Sequence, residues 1–211
     1  MKKILTLLVA TTLIAIAGCQ KAPPPVPQSA PDIDISFELV DESGNTATSE
    51  MYNGNLRLVF FGYTSCPDIC PITLQNISMA LNSMGPLAEQ VSVLFISVDP
   101  KRDTPERLRV YTDAFHPSIV GLTGTYQQIA NVTEGFRTTF GYSLTGDTGQ
   151  ERPLGEDEYG QLAATASYVP YHSSQVYVIG ANDELLDIIG YGSKPQQIEE
   201  TLRTHLGSPD G

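Results

Sequence analysis

Leu56 to Gly62 is an almost continuously apolar run that ends directly on a proline-flanked pair of thiols, Tyr63-Thr64-Ser65-Cys66-Pro67-Asp68-Ile69-Cys70-Pro71. So short an apolar run suits a strand buried on both faces. Pro71 has no N–H to donate and suits the first turn of a helix. Leu74, Ile77, Leu81 and Met84 then fall on one helical face. Strand, thiol loop and helix together put both sulfurs at the edge of a sheet, beside a helix N-terminus. The partial positive charge there lowers thiol pKa values and favours thiolates. The spacing is C-x-x-x-C. It is compatible with the Cα separations of a disulfide, and thiolates are equally the form that binds a soft metal. On the residues alone, a redox couple and half a metal site both stand.

The rest of the chain sets the frame around that loop. Ile33, Ile35, Phe37 and Leu39 alternate with polar residues and predict a half-buried strand, followed by a turn at Glu42 to Asn45. Val91 to Val98 predicts a β-branched strand. Thr104-Pro105-Glu106 is a helix start, with Leu108, Tyr111 and Phe115 on one face. A short strand at Ile119 to Leu122 and a helix marked by Tyr126, Ile129 and Val132 follow. Ser143 to Ala166 is polar and acidic without periodicity, and reads as an inserted loop or hairpin. Gln175 to Ile179 and Leu185 to Ile189 read as a hairpin, and Pro195 to Leu206 as a closing helix with Ile198, Leu202 and Leu206 inward. A β-α-β unit, then a β-hairpin and a last helix, predicts an α/β, thioredoxin-like fold. Its central mixed sheet is flanked by helices, with an extra N-terminal strand and a polar insertion before the last hairpin.

The N-terminus reads as a targeting segment. Lys2 and Lys3 precede a short apolar stretch, Ile4 to Ala17, and Ile16-Ala17-Gly18-Cys19 reads as a bacterial lipobox. The expected domains are a lipoprotein signal peptide at 1–18, a lipidated Cys19 with a proline-rich tether at 19–31, and one folded domain at 32–211. An extended tether at about 3.1 Å per residue would lift that domain on the order of 35 Å off a bilayer. This reading places the domain outside the cytoplasm and leaves Cys66 and Cys70 as its two thiols, in a space that oxidises free pairs. The formal net charge of −12 argues against nucleic-acid binding.

The thiol loop resembles the Sco/SenC family of copper-binding proteins, whose signature is a Tyr-Thr-x-Cys-Pro-Asp-x-Cys-Pro run. Tyr63, Thr64, Cys66, Pro67, Asp68, Cys70 and Pro71 match it. Two further blocks resemble the family, Ser97 to Pro105 and the late His172-Ser173. The resemblance implies a thioredoxin-like fold in which Cys66, Cys70 and His172 bind copper, with the Cys66–Cys70 disulfide as a redox-active state. It also implies delivery to the copper-receiving subunit of a respiratory cytochrome c oxidase. A thiol reductant protein would act as a second partner, and the chain would sit on the outer face of the cytoplasmic membrane, with the outer membrane as the alternative. The chemistry agrees: two thiolates and an imidazole suit Cu(I) and Cu(II), and three ligands leave a position open for exchange, unlike a closed structural zinc site. The family usually carries an acid just before this histidine, where the chain has Tyr171. Asp99 and Asp103 are the candidates for a carboxylate behind the site; their bland role is to end a strand and cap a helix.

Competing readings of the same thiols are a thiol–disulfide oxidoreductase that keeps the partner's cysteines reduced, and a redox or copper sensor. His172 separates them, since a reductase has no need of it. His116 and His205 read as surface residues, Met79 and Met84 as packing, and the acids Glu151, Glu156, Asp157 and Glu158 as a solvated face.

Overall fold

The computed structural model describes residues 33–145 and 150–207. The expected signal peptide, the expected lipidation site Cys19 and the expected tether lie outside the described residues. In chain order the elements are β1 (Glu38–Val40), β2 (Thr46–Thr48), β3 (Leu56–Gly62), α1 (Ile69–Met84), β4 (Val91–Ser97), α2 (Pro105–Thr112), β5 (Ile119–Leu122), α3 (Tyr126–Gly135), β6 (Phe140–Thr145), β7 (Glu151–Pro153), α4 (Glu156–Gln161), β8 (Val169–His172), β9 (Val176–Ile179), β10 (Leu185–Ile189) and α5 (Pro195–Leu206).

The central sheet has the order β10-β9-β3-β4-β5. Strands β3, β4 and β5 run parallel, and β9 runs antiparallel to β3. Period-two alternation divides β3 between two cores. Leu56, Leu58 and Phe60 face α1 and α5, meeting Leu74, Ile77, Leu81, Met84, Ile198 and Leu202. Val59 and Phe61 face the other way, toward Ile129, Val132 and Phe136. Helices therefore cover both faces, as the pattern predicts for strands with no polar side. Arg57 is the exception: its side chain is buried, and it donates to the Gly180 carbonyl (2.7 Å) and to Asp183 (2.5 Å), which staples β3 to the β9–β10 turn.

One expectation is narrowed and one is extended. The expected N-terminal strand is present but shorter than the alternation at Ile33 to Leu39, and it lies outside the central sheet. Only Glu38–Val40 is extended, and it pairs with β2 in a separate two-stranded sheet. The alternation reports burial instead, since Ile35 and Leu39 sit in the core on the α3 side. The polar insertion takes the hairpin of its two expected forms and adds a third strand and a short helix to it. β6 pairs with β7 as a hairpin and with β8 on its other edge, making a three-stranded antiparallel sheet. This sheet and α4 enclose Tyr142, Tyr159 and Tyr168. Tyr142 and Tyr159 stack with centroids 3.7 Å apart, and Tyr168 stands edge-on to both. Lone tyrosines spaced along a polar stretch carry no periodic signal, which is why the sequence hid this core. The acids Glu156, Asp157 and Glu158 are exposed, as expected. Met84 is buried, whereas Met79 is exposed on the outer face of α1. Among the described residues no helix is long and apolar enough to cross a membrane.

Candidate metal centre

The two sulfurs lie where β3 ends and α1 begins. The helix starts at Ile69, earlier than Pro71 alone suggests, so Cys70 occupies its first turn. Cys70 is fully buried and Cys66 is half-buried; both are free thiols. The Cys70 N–H, one of the unpaired donors of the helix start, points at Cys66 Sγ at 3.4 Å. Burial of Cys70 depends on Gly62. A Cβ there would stand 2.5 Å from the Phe95 ring and 2.9 Å from Cys70 Sγ, so only glycine lets helix sulfur and sheet meet.

His172 arrives from 102 residues further on and stands with Nε2 3.7 Å from Cys70 Sγ. Topology explains the meeting. β9 is antiparallel to β3, with Val176 opposite Phe60, so the start of β9 lies beside the end of β3. His172 is the last residue of β8, paired with Phe140, and the next N–H, that of Ser173, donates to the Thr139 carbonyl. The ring stands edge-on to Phe60 and Tyr63. Its Nδ1 lies 2.9 Å from the Ser173 carbonyl. A carbonyl only accepts, so Nδ1 carries the proton and Nε2 presents its lone pair to the thiols. The support expected from a carboxylate thus comes from the backbone, and Tyr171 lies flat across Gly141 on the neighbouring strand instead.

The sulfurs divide one proton between them. The hydrogen bond from Cys70 holds the Cys66 thiol far below its ordinary value, at about 3, against a smaller opposing effect of burial. The same bond and then burial push Cys70 up. Cys66 is therefore the standing thiolate and Cys70 the proton holder.

Asp99 and Asp103 are both fully buried, and neither contacts the imidazole. Asp103 accepts from the Thr64 N–H (2.9 Å), the Thr64 hydroxyl (2.5 Å) and the Ser97 hydroxyl (2.6 Å), which fixes the chain just before Cys66. Burial raises its pKa. Asp99 accepts from Tyr168 (2.5 Å) and from Arg102, which lies across the Tyr168 ring, so it docks the small sheet onto the end of β4. Sequence reading named Thr64 and Ser97 as motif residues without giving them a role, and did not single out Tyr168; their bonds to the two acids exist only across the fold. His116 accepts from the Ser118 N–H and His205 faces Asp187; both are remote from the thiols in contact terms.

The geometry can be tested against a metal. With bond lengths usual for zinc, about 2.3 Å to sulfur and about 2.0 Å to nitrogen, two ligands sharing one ion at an angle of about 110–120° lie about 3.5–3.8 Å apart. The Cys70–His172 separation of 3.7 Å fits that span. Among the described residues, no three or more His, Cys, Asp or Glu groups form a ready-made metal cage. The half-buried Cys66 is the third donor, its sulfur facing the Cys70 N–H at 3.4 Å.

The family profile SCO1/SenC matches residues 25–207. A SCO2-like protein of Rickettsia conorii is 37% identical over 167 residues, covering 79% of this chain and 74% of the relative. The copper-bound structure of ScoI from Bradyrhizobium japonicum superposes with a TM-score of 0.68 at 29% identity, covering 82% of this chain and 99% of that one. Copper-bound yeast Sco1 gives 0.70 at 28% identity, covering 84% and 90%.

Proposed function

The chain belongs to the SCO1/SenC family, and from that premise we propose that it is a membrane-tethered carrier that binds copper through Cys66, Cys70 and His172. The copper is cargo, handed to the copper centre of a respiratory cytochrome c oxidase. One observation carries the reading. A buried thiol and an imidazole from opposite ends of the domain meet at 3.7 Å, with the imidazole's proton already assigned to the far nitrogen. A thiolate pair with imidazole is a soft donor set suited to Cu(I), and it leaves a coordination position through which an acceptor's ligand can enter. The copper-bound relatives support the choice of metal. Joining Cys66 to Cys70 would remove both thiolates and switch binding off. Lipidation at Cys19 supplies the tether to the membrane.

The test is competition of reduced protein against a Cu(I) chelator, with His172→Ala beside the wild type. The variant is expected to lose affinity about 10–100-fold, the range seen when a metal site loses part of its support, or more. Equal affinity would remove His172 from the site, and no binding by reduced wild type would sink the carrier reading.

A second reading is favoured by one further observation: a half-buried thiolate, Cys66, stands in front of a buried thiol, Cys70. That is the order needed for disulfide reduction. Cys66 attacks a partner disulfide and releases one partner thiolate. Cys70, deprotonated, then displaces the second, leaving Cys66–Cys70 oxidised by two electrons and the partner reduced. A thiol reductant protein would restore the pair. Retained reductase activity in His172→Ala, with copper binding lost, would separate the two roles.

A further inference from the structure

We propose that Arg107 is a positioning residue that holds the Cys66 loop closed against α2 and so sets how fast bound metal leaves. The proposal rests on the carrier reading above, in which Cys66 is one of the three copper donors.

The loop from Tyr63 to Asp68 joins β3 to α1, and its first half is gripped from two sides. From inside, Asp103 takes the Thr64 N–H and hydroxyl. From outside, the Arg107 guanidinium bridges two successive residues. Its Nε donates to Thr64 Oγ1 at 2.6 Å, and its Nη2 donates to Ser65 Oγ at 2.9 Å. Arg107 itself is fixed in the first turn of α2, where its N–H donates to the Thr104 side chain, and its Nε lies 3.7 Å from Asp103. The second half of the loop is more open, with Pro67 and Asp68 exposed, and Cys66 is tied by its own N–H to the Tyr63 carbonyl (3.2 Å) and through its sulfur to the Cys70 N–H (3.4 Å).

Cys66 is the next residue after Ser65, so the clamp holds the stretch of loop that leads directly into the half-buried donor. Cys70 is rooted in α1, and His172 is held by the pairing of β8 with β6 and by the Ser173 N–H bond to the Thr139 carbonyl. Ligand exchange therefore requires Cys66 to swing, and the pivot is Thr64–Ser65. Arg107 spans that pivot with a planar fork, a two-point geometry that lysine cannot reproduce. Its side chain is half exposed. Its loss should therefore ease a local opening without weakening the domain.

The experiment uses the full chain as wild type, R107A, R107K and S65A. Hydrogen exchange is followed at the Thr64 to Cys66 amides in metal-free protein, and Cu(I) loss to excess chelator in loaded protein. In R107A both are expected to quicken about 3- to 10-fold, the effect of about one ordinary, solvent-accessible hydrogen bond. S65A should show the smaller part of that effect, and R107K an intermediate one. Exchange at Val59 in β3 should not change. Unchanged exchange at Thr64 to Cys66 in R107A overturns the clamp, and so does equal quickening at Val59, which would mean general destabilisation. Full rescue by R107K overturns the forked geometry. Faster exchange with unchanged copper loss overturns the control of release. Failure of the wild type to bind copper would instead sink the carrier reading, while the exchange data would still score the clamp.

Discussion

Replacing Gly62 by alanine tests how closely the cysteine pair is built into the sheet. The added Cβ would meet the Phe95 ring at 2.5 Å and Cys70 Sγ at 2.9 Å, whereas ordinary contact begins at 3.4 Å. The ring must then retreat by about 0.9 Å and the sulfur by about 0.5 Å, and both are fully buried. Overpacking of this kind costs about 1–3 kcal/mol. At about 2–4 °C per kcal/mol for a domain of this size, the melting temperature should fall by about 2–12 °C. The sulfur's displacement exceeds the roughly 0.2 Å tolerance of a metal–ligand distance, so Cu(I) affinity should drop as well. Thermal unfolding and chelator competition on the same preparation read both effects. Gly160→Ala is the control, since a Cβ there meets nothing within 4 Å. Wild-type melting and wild-type affinity in Gly62→Ala would refute the claim that glycine sets the position of Cys70. Lowered melting with intact affinity would show that the sulfur's place is restored by other means.

Further outcomes follow from the charge and the packing. Because the Cys66 thiol is held at about 3, its alkylation rate in metal-free protein should stay level from pH 8 down to about pH 5 and fall only in stronger acid; a rate that drops tenfold per pH unit below pH 8 would mean an ordinary thiol. Tyr168→Phe removes the buried hydroxyl that Asp99 accepts and should cost about 1–3 kcal/mol, read as a lower denaturant midpoint at unchanged slope. An unchanged midpoint would show that the small sheet is not docked through Asp99.

Much of the fold is legible along the chain because its signals are local. The bounds of β3, β5, β10 and α5 coincide with the apolar runs and the proline and threonine starts that predict them. Thr104 caps α2 as its sequence suggests. The small tyrosine core is not legible, because Tyr142, Tyr159 and Tyr168 sit in polar surroundings and their stack exists only once three segments meet. The site divides in the same way. Cys66 and Cys70 announce themselves by proximity to each other and to proline. Asp99 and Asp103 read on paper as a strand end and a helix start, yet Asp103 grips the thiol loop and Asp99 the small sheet.

What the sequence by itself determined is the menu: a strand delivering two thiols to a helix start, a late histidine, and the order of elements that makes a mixed sheet. What only the tertiary structure decided is which of these act together. The antiparallel seating of β9 beside β3 brings His172 to Cys70, the Ser173 carbonyl chooses the imidazole tautomer, and Gly62 opens the space in which the sulfur fits. Periodicity and capping act over a few residues of backbone and can be read in one dimension. Donor separations, proton placement and steric clearance are distances between atoms far apart in the chain, and these are fixed only when the sheet closes.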